Sequence, residues 1–240
     1  MHAIILAAGC ARRMGAAAKS IPKSLLEVVA GRSPMQHHLT VLAEHPAVDS
    51  VTIVVGHEKE KIRDATKDSR VSVQYVENDI FADSGSGYSL SLALERIDTP
   101  PFLWMDADIF YAPALISEVV EEERDCLLAS ARSSYDDEMV KVTTNASGTL
   151  RDLNKQVEDG VIAESVGIVR VESPTMIEHM RQVCEDFRAA GVAKYEWEEI
   201  VQAVAADCDV AVVPTEQPWI EIDFPYDLAV ARDQFRGMTL

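Results

Sequence analysis

Short apolar runs of strand length alternate with amphipathic stretches of helical length, and this alternation constrains the fold most. His2–Ala7 and Ser50–Val55 are apolar or β-branched, Val71–Val76 is a third such run, and Phe102–Met105 leads into Asp106. Between them, Pro34–Ala43, Glu58–Lys67 and Ser86–Ile97 read as helices. Strand, helix and strand in succession imply βαβ units and a largely parallel sheet. From Cys126 the pattern changes to strand-like pieces at Cys126–Ala131, Met139–Thr144, Thr149–Leu153 and Ala163–Val171, with a turn signal at Asn145–Gly148. Helices follow at Pro174–Ala189, which has Ser173 as its cap, and at Tyr195–Ala206. Strands at Asp209–Val213 and Trp219–Ile222 and a helix from Pro225 to Arg236 complete the chain. The expected class is α/β, with a mainly parallel mixed central sheet and a small antiparallel β extension.

Charge narrows the function. The 240 residues hold 40 acids against 22 Lys and Arg, a net charge of −18. Such a chain repels phosphate polymers at long range, so no nucleic-acid partner and no acidic membrane are expected. The distribution is uneven. Residues 1–26 hold Arg12, Arg13, Lys19 and Lys23 and no acid, +4 against −22 for the rest. No apolar run approaches the roughly 18 residues of a membrane span, and the N-terminus lacks the basic start of a signal peptide. The expected location is cytoplasmic. Cys10, Cys126, Cys184 and Cys208 show no CxxC spacing and read as free thiols. The histidines show no metal-ligand spacing; the adjacent His37 and His38 would point about 100° apart on a helix.

Several segments carry chemistry. Leu6, Ala7, Ala8, Gly9, Cys10 and Ala11 run from a strand into a loop of small residues. Small side chains let a phosphate approach backbone N–H groups, and Arg13 and Lys23, the latter in Pro22-Lys23-Ser24-Leu25, add fixed positive charge. The plain alternative is a loop whose small residues merely pack. In Trp104-Met105-Asp106-Ala107-Asp108, strand alternation puts two carboxylates on the same side at a sheet edge. Mg²⁺ takes one or two such carboxylates together with substrate phosphates. Asn78, Ser84, Gly85, Ser86 and Ser89 form a polar loop able to read a base edge, and Ser84 or Ser86 can equally cap the following helix. Lys141 and Lys155 offer cations for an incoming phosphoryl group. Tyr195 and Trp197 offer either a cation–π wall for an ammonium group or ordinary packing at a helix start.

The first segment resembles the N-terminal signature of nucleotidyltransferases that activate small phosphorylated molecules: Leu-Ala-Ala-Gly-x-Gly-x-Arg followed by Pro-Lys-x-Leu. This MobA-like, GT-A-type group includes sugar-1-phosphate nucleotidylyltransferases and phosphocholine, inositol-1-phosphate and phosphonate cytidylyltransferases. Here Ala11 stands where the family has its second glycine, which puts triphosphate geometry in question. The resemblance implies a Rossmann-like three-layer sandwich and one nucleotidyltransferase domain over 1–240. Residues 1–125 would form the nucleotide-binding half and 126–240 the acceptor-binding half. Arg13, Lys23 and Asp106 would be catalytic, and residues 6–11 with Asn78, Ser84, Gly85, Ser86 and Ser89 would bind the nucleotide. Asp106 and Asp223, the latter in Glu221-Ile222-Asp223, would hold Mg²⁺, while Asp227 would be a structural first-turn charge. Lys141, Lys155, Gly167, Tyr195, Trp197 and Glu198 would meet the acceptor. The implied activity is CMP transfer from CTP to a phosphonate or phosphorylated small alcohol, with homodimerisation left open. Alternatives are a sugar-1-phosphate nucleotidylyltransferase using another NTP, a glycosyltransferase for which Asp106-Ala107-Asp108 would be the metal motif, and a non-catalytic nucleotide-binding domain.

Overall fold

The computed structural model describes residues 1–11, 13–15, 20–29 and 31–238. Arg12 and Lys19 of the basic N-terminal island lie outside the described residues. β1 (His2–Ala7) is apolar on both faces and sits inside a nine-stranded sheet. Its Ala3, Ile5 and Ala7 enter one core and its Ile4 and Leu6 the other, as strand alternation requires. β2 (Ser50–Val55) and β3 (Ser72–Glu77) continue the sheet on one side and β4 (Phe102–Asp106) on the other, all parallel. Beyond β4 lies β9 (Ala163–Val171), antiparallel to it, then β6 (Cys126–Ser130) and β10 (Ala211–Pro214). β7 (Lys141–Thr144) and β8 (Leu150–Asn154) extend β9 as an antiparallel appendage. β5 (Ile109–Tyr111) and β11 (Trp219–Glu221) form a separate antiparallel ribbon.

Helices cover both faces. α1 (Pro34–Glu44), α2 (Lys59–Thr66) and α4 (Ala114–Val120) bury Met35, Leu42, Ile62 and Leu115 against one face. α3 (Ser86–Leu94), α5 (Pro174–Ala189) and α6 (Trp197–Val204) bury Leu90, Met180 and Ile200 against the other. α7 (Pro225–Gln234) joins Phe110 and Ile222 in a third, smaller core. This is the expected three-layer α/β architecture, and Ser173 caps α5 by accepting from the Met176 N–H (3.1 Å). Among the described residues no helix is long and apolar enough to cross a membrane.

The order β3-β2-β1-β4 places the site. The chain leaves β1 toward β2 on one side while β4 lies on the other, so the loops after β1 and β4 part and leave a crevice at the strands' carboxyl ends. Two elements were not expected from the sequence, β5 and α4. β5 has three residues and its partner, β11, follows about a hundred residues later, so no local period announces it.

Candidate active site

A cleft of about 790 Å³ opens at that crevice. Its floor is the end of β1 and the loop Ala8–Ala11, and its sides include Lys23, Asn78, Ser84–Ser86, Ser89, Asp106, Asp108, Lys155, Gly167, Tyr195–Glu199, Glu221 and Asp223. Of the residues expected to act, all but Lys141 reach it. Lys141 is buried, and its ammonium donates to the Lys155 carbonyl (2.9 Å), so it braces β7 instead of meeting an acceptor.

The basic residues are held by acids. The Lys23 ammonium donates to Asp223 Oδ1 (2.7 Å) and pairs with Asp108. Burial pulls its pKa down, but Asp108, Asp223 and Glu221 outweigh burial and leave it raised. Arg13 bridges Asp223 Oδ2 (2.7 Å) and Glu138 Oε2 (2.7 Å), with its guanidinium over the Phe224 ring. The Asp227 carboxylate accepts the N–H groups of Asp223 (3.0 Å) and Phe224 (2.7 Å), which closes the start of α7 and fixes the Asp223 backbone. Ala11 takes the left-handed φ of +48° where the family signature has glycine, and the Met14 N–H returns to its carbonyl (3.1 Å).

The acids group differently from the expectation. Asp108, Glu221 and Asp223 each bring a carboxylate oxygen within 4.8 Å of the others. Asp106 lies beside them but accepts from the Trp197 indole N–H (3.1 Å). Burial, followed by the nearby Asp108, Glu198 and Glu221, holds the Asp106 carboxyl well above the usual range. Gly167, with φ +79°, makes this placement possible: a Cβ there would lie 2.6 Å from Asp106 Oδ2. The resemblance joins Asp106 to Asp223; Asp108 reads only as a same-side carboxylate beside Asp106, and Glu221 is not read as a ligand. Both had a signal, since each sits two residues from an expected ligand. The chemistry of the donor set fits a divalent cation: hard oxygens converge, acids outnumber cations, and the buried Asp108 Oδ1 has no hydrogen-bond partner. Glu138 carried no sequence signal; it lies in the loop before β7 and reaches Arg13 only through the fold.

The polar wall is an interlock of two helix starts. Neither Ser84 nor Ser86 caps α3, whose N-cap is Gly85. Ser84 accepts from Asn78 Nδ2 (2.9 Å), which also donates to Ser89 (2.9 Å). The amide donors of Asn78 therefore set the conformation of this loop. Ser86 donates to Glu196 Oε2 (2.6 Å) and accepts the Trp197 N–H (3.0 Å). Gly85 and Gly87 permit this approach: a Cβ would lie 2.0 Å from the Tyr195 carbonyl oxygen in the first case and 2.4 Å from the Tyr195 ring in the second. Tyr195 stacks on Phe187 (centroids 4.1 Å, 9°) and Trp197 packs edge-on to Trp104 (5.9 Å, 72°). Both rings are 2% exposed, so they pack and offer no open cation–π wall. Glu198 keeps a buried Oε2 with no hydrogen-bond partner, and burial pushes its carboxyl up to about 7.

Residues 3–168 match the model of the MobA-like NTP transferase domain, and the chain belongs to that family. Three curated relatives are similar to it. The CMP-5′-(3-aminopropyl)phosphonate synthase of Streptomyces rubellomurinus is 30% identical over 63% of this chain, a match spanning 24% of that protein. The 2-aminoethylphosphonate cytidylyltransferase of Lancefieldella rimae is 24% identical over 95% of this chain and 90% of its own length. The choline-phosphate cytidylyltransferase of Streptococcus pneumoniae is 33% identical over 40% of this chain and 41% of that one. Among solved structures, the CTP:phosphocholine cytidylyltransferase of S. pneumoniae superposes with a TM-score of 0.80 at 22% identity, over 98% of this chain and 99% of that one. The inositol-1-phosphate CTP transferase of T. maritima gives 0.80 at 20% identity, over 100% and 98%. These two likenesses concern the fold.

Proposed function

We propose that this chain is a Mg²⁺-dependent cytidylyltransferase that moves CMP from CTP to a phosphonate or phosphorylated small alcohol. The observation that carries the reading is the meeting of Arg13 and Lys23 on Asp223, in the cleft that the small-residue loop after β1 also lines. Two cations aimed at one point of a crevice at the carboxyl ends of parallel strands suit a triphosphate.

An acceptor oxygen attacks the α-phosphorus of CTP; the new O–P bond forms as the bond to the bridging oxygen breaks, and pyrophosphate leaves with that electron pair. The acceptor is already ionised near neutral pH, so the enzyme needs no general base. Its work is positioning and charge stabilisation. Lys23 and Arg13 exchange carboxylate partners for phosphate oxygens, and their charge meets the charge that builds on the leaving pyrophosphate. The loop 8–11 supplies backbone N–H groups, and Ser84 and Ser86 line the base side. Asp108, Glu221 and Asp223, with Asp106 beside them, would hold the divalent ion, which when bound neutralises phosphate charge and polarises the α-phosphoryl group. CTP and the acceptor class are favoured over other NTPs and sugar-1-phosphates by the names of the similar proteins. The cytoplasm suits this substrate and the four free thiols.

The test crosses four NTPs with phosphonates, phosphocholine and sugar-1-phosphates and reads pyrophosphate. Release with CTP and a phosphonate or phospho-alcohol is expected. Release only with a sugar-1-phosphate and another NTP, or consumption of a nucleotide-sugar instead, would replace the proposal.

A further inference from the structure

Arg13 has two kinds of partner, and only one kind can stay when a triphosphate arrives. Two carboxylates hold its N–H edge, Asp223 Oδ2 and Glu138 Oε2, each at 2.7 Å. A phosphate needs the same donors, so both carboxylates must give way to it. The other partner is the Phe224 ring, whose centroid lies 5.4 Å from the guanidinium carbon. A guanidinium donates hydrogen bonds from its edge and meets a ring with its face, so ring and phosphate do not compete.

The ring is fixed from its backbone outward. The Phe224 N–H is held by the Asp227 carboxylate (2.7 Å). Pro225 follows at the start of α7 and keeps Phe224 extended, with φ −122° and ψ 160°. Tyr226 stacks on the ring (centroids 5.4 Å, 8°). Met14, next to Arg13, and Ile222 and Leu228, on either side of Phe224, are buried in the same third core. Arg13 and Phe224 therefore stand on one support. The two rings do not serve that core. Among the described residues, neither Phe224 nor Tyr226 joins any of the three cores, and Tyr226 is 64% exposed. A pair of rings left outside the cores gains little from burial. What Phe224 does have is a cation on its face.

We infer that Phe224, backed by Tyr226, is a positioning residue that keeps the Arg13 guanidinium aimed into the cleft while its carboxylate partners are exchanged for phosphate oxygens. This role rests on the transfer reading given above. The ring attracts the cation without carrying charge, so it holds Arg13 without repelling the incoming phosphates. It acts through Arg13, whose charge meets the charge that builds on the leaving pyrophosphate. Its loss therefore falls on kcat and spares the KM of the acceptor.

The test measures kcat and KM with CTP and 2-aminoethylphosphonate in the wild type, Phe224→Leu and Phe224→Tyr, and repeats Phe224→Leu in an Arg13→Ala background. Phe224→Leu should lower kcat about tenfold, the scale of a partly desolvated cation–π contact. Its KM for 2-aminoethylphosphonate should stay within about twofold and its thermal midpoint within about 2 °C of wild type. Phe224→Tyr, which keeps the ring face, should retain most of the rate. In Arg13→Ala, the further change Phe224→Leu should cost less than about twofold, because the coupling of two groups in contact vanishes when one is gone. A wild-type kcat in Phe224→Leu, a loss that persists in full without Arg13, or a Phe224→Tyr as slow as Phe224→Leu overturns the inference and leaves the transfer reading standing. If Phe224→Leu folds poorly, Tyr226→Ser carries the comparison: kcat should fall about threefold, and an unchanged kcat overturns the inference. If no acceptor yields pyrophosphate, the transfer reading fails, and calorimetry of inorganic tripolyphosphate decides the role. Binding weakened about fivefold or more by Phe224→Leu, and not weakened by it in Arg13→Ala, sustains the role; equal binding or none overturns it.

Discussion

Ala11 departs from the family's signature, and the departure has a measurable cost. Its φ of +48° lies in the left-handed region, where a β-carbon crowds the following carbonyl and costs about 1 kcal/mol relative to glycine. Ala11→Gly should therefore stabilise the fold by up to about 1 kcal/mol in urea unfolding, less whatever the freer glycine adds to the unfolded state. A loss of stability would show that the methyl group packs usefully enough to offset the strain. Gly9 makes the opposite case. A Cβ there meets nothing within 4 Å, yet the residue lines the cleft. Gly9→Ala should leave the melting temperature within about 2 °C of wild type, a surface-sized change, while lowering kcat/KM for the nucleotide; unchanged kinetics would detach this loop from the substrate. The loop's residues were legible in the sequence because backbone approach demands small side chains. The grouping of the acids was not. Spacing placed Asp106 and Asp108 on one side, but Trp197, about ninety residues on, takes the Asp106 carboxylate and leaves Asp108 to the cluster.

At the element scale the start of α3 separates local from long-range logic. Locally, Ser84 and Ser86 read as helix caps. In the structure Ser84 serves Asn78, and Ser86 serves Glu196 and Trp197, because residues 193–197 pack onto this turn and the glycines make room for them. A chain-local rule cannot see a partner 110 residues away. Gly85→Ala should cost about 3 kcal/mol or more, since the new methyl meets backbone at 2.0 Å; a thermal midpoint equal to wild type would refute the interlock. α1 offers a second case. His37 and His38, which the sequence set aside as metal ligands, are buried against Phe110 and Tyr111, with His37 Nε2 2.8 Å from the Tyr111 carbonyl. Burial lowers their pKa values to about 4 and about 3. The unfolded chain takes up these protons below about pH 6.5 while the folded one does not, so this pair weakens the fold as pH falls from 6.5 toward 4. Burial shifts the Glu198 carboxyl upward, so its burial penalty is relieved as pH falls through an overlapping window, and imidazole NMR is the cleaner measurement. Two rings should stay neutral from pH 8 to pH 5.5; protonation of either above pH 6 would contradict their placement.

For the whole molecule, the net charge of −18 has a local structure. Asp106, Asp108, Glu221 and Asp223 gather with Lys23 and Arg13 in one crevice, so acid exceeds base where a triphosphate would add still more negative charge. A divalent cation should relieve that excess. At matched ionic strength, saturating Mg²⁺ should raise the thermal midpoint, by about 2.7 kcal/mol of stability at a hundred times its Kd. Asp223→Asn should remove most of the gain, and an equal rise in both proteins would place the ion elsewhere. The alternation of strands and helices revealed the largely parallel sheet, because each βαβ unit is local, while the crevice follows from the strand order of the folded sheet. What crosses the sheet, such as the β5–β11 ribbon and the Glu138–Arg13 pair, emerged only in three dimensions. The central claim is that the crevice joins CMP to a phosphonate or phosphate, and phosphorus NMR of the reaction mixture tests it directly. With CTP, Mg²⁺ and 2-aminoethylphosphonate, one new pair of P–O–P anhydride resonances and one equivalent of pyrophosphate should appear together and should fall at least ~100-fold in rate in Lys23→Ala. Loss of CTP to CMP and pyrophosphate without that anhydride, or anhydride formation undiminished in Lys23→Ala, would contradict the account.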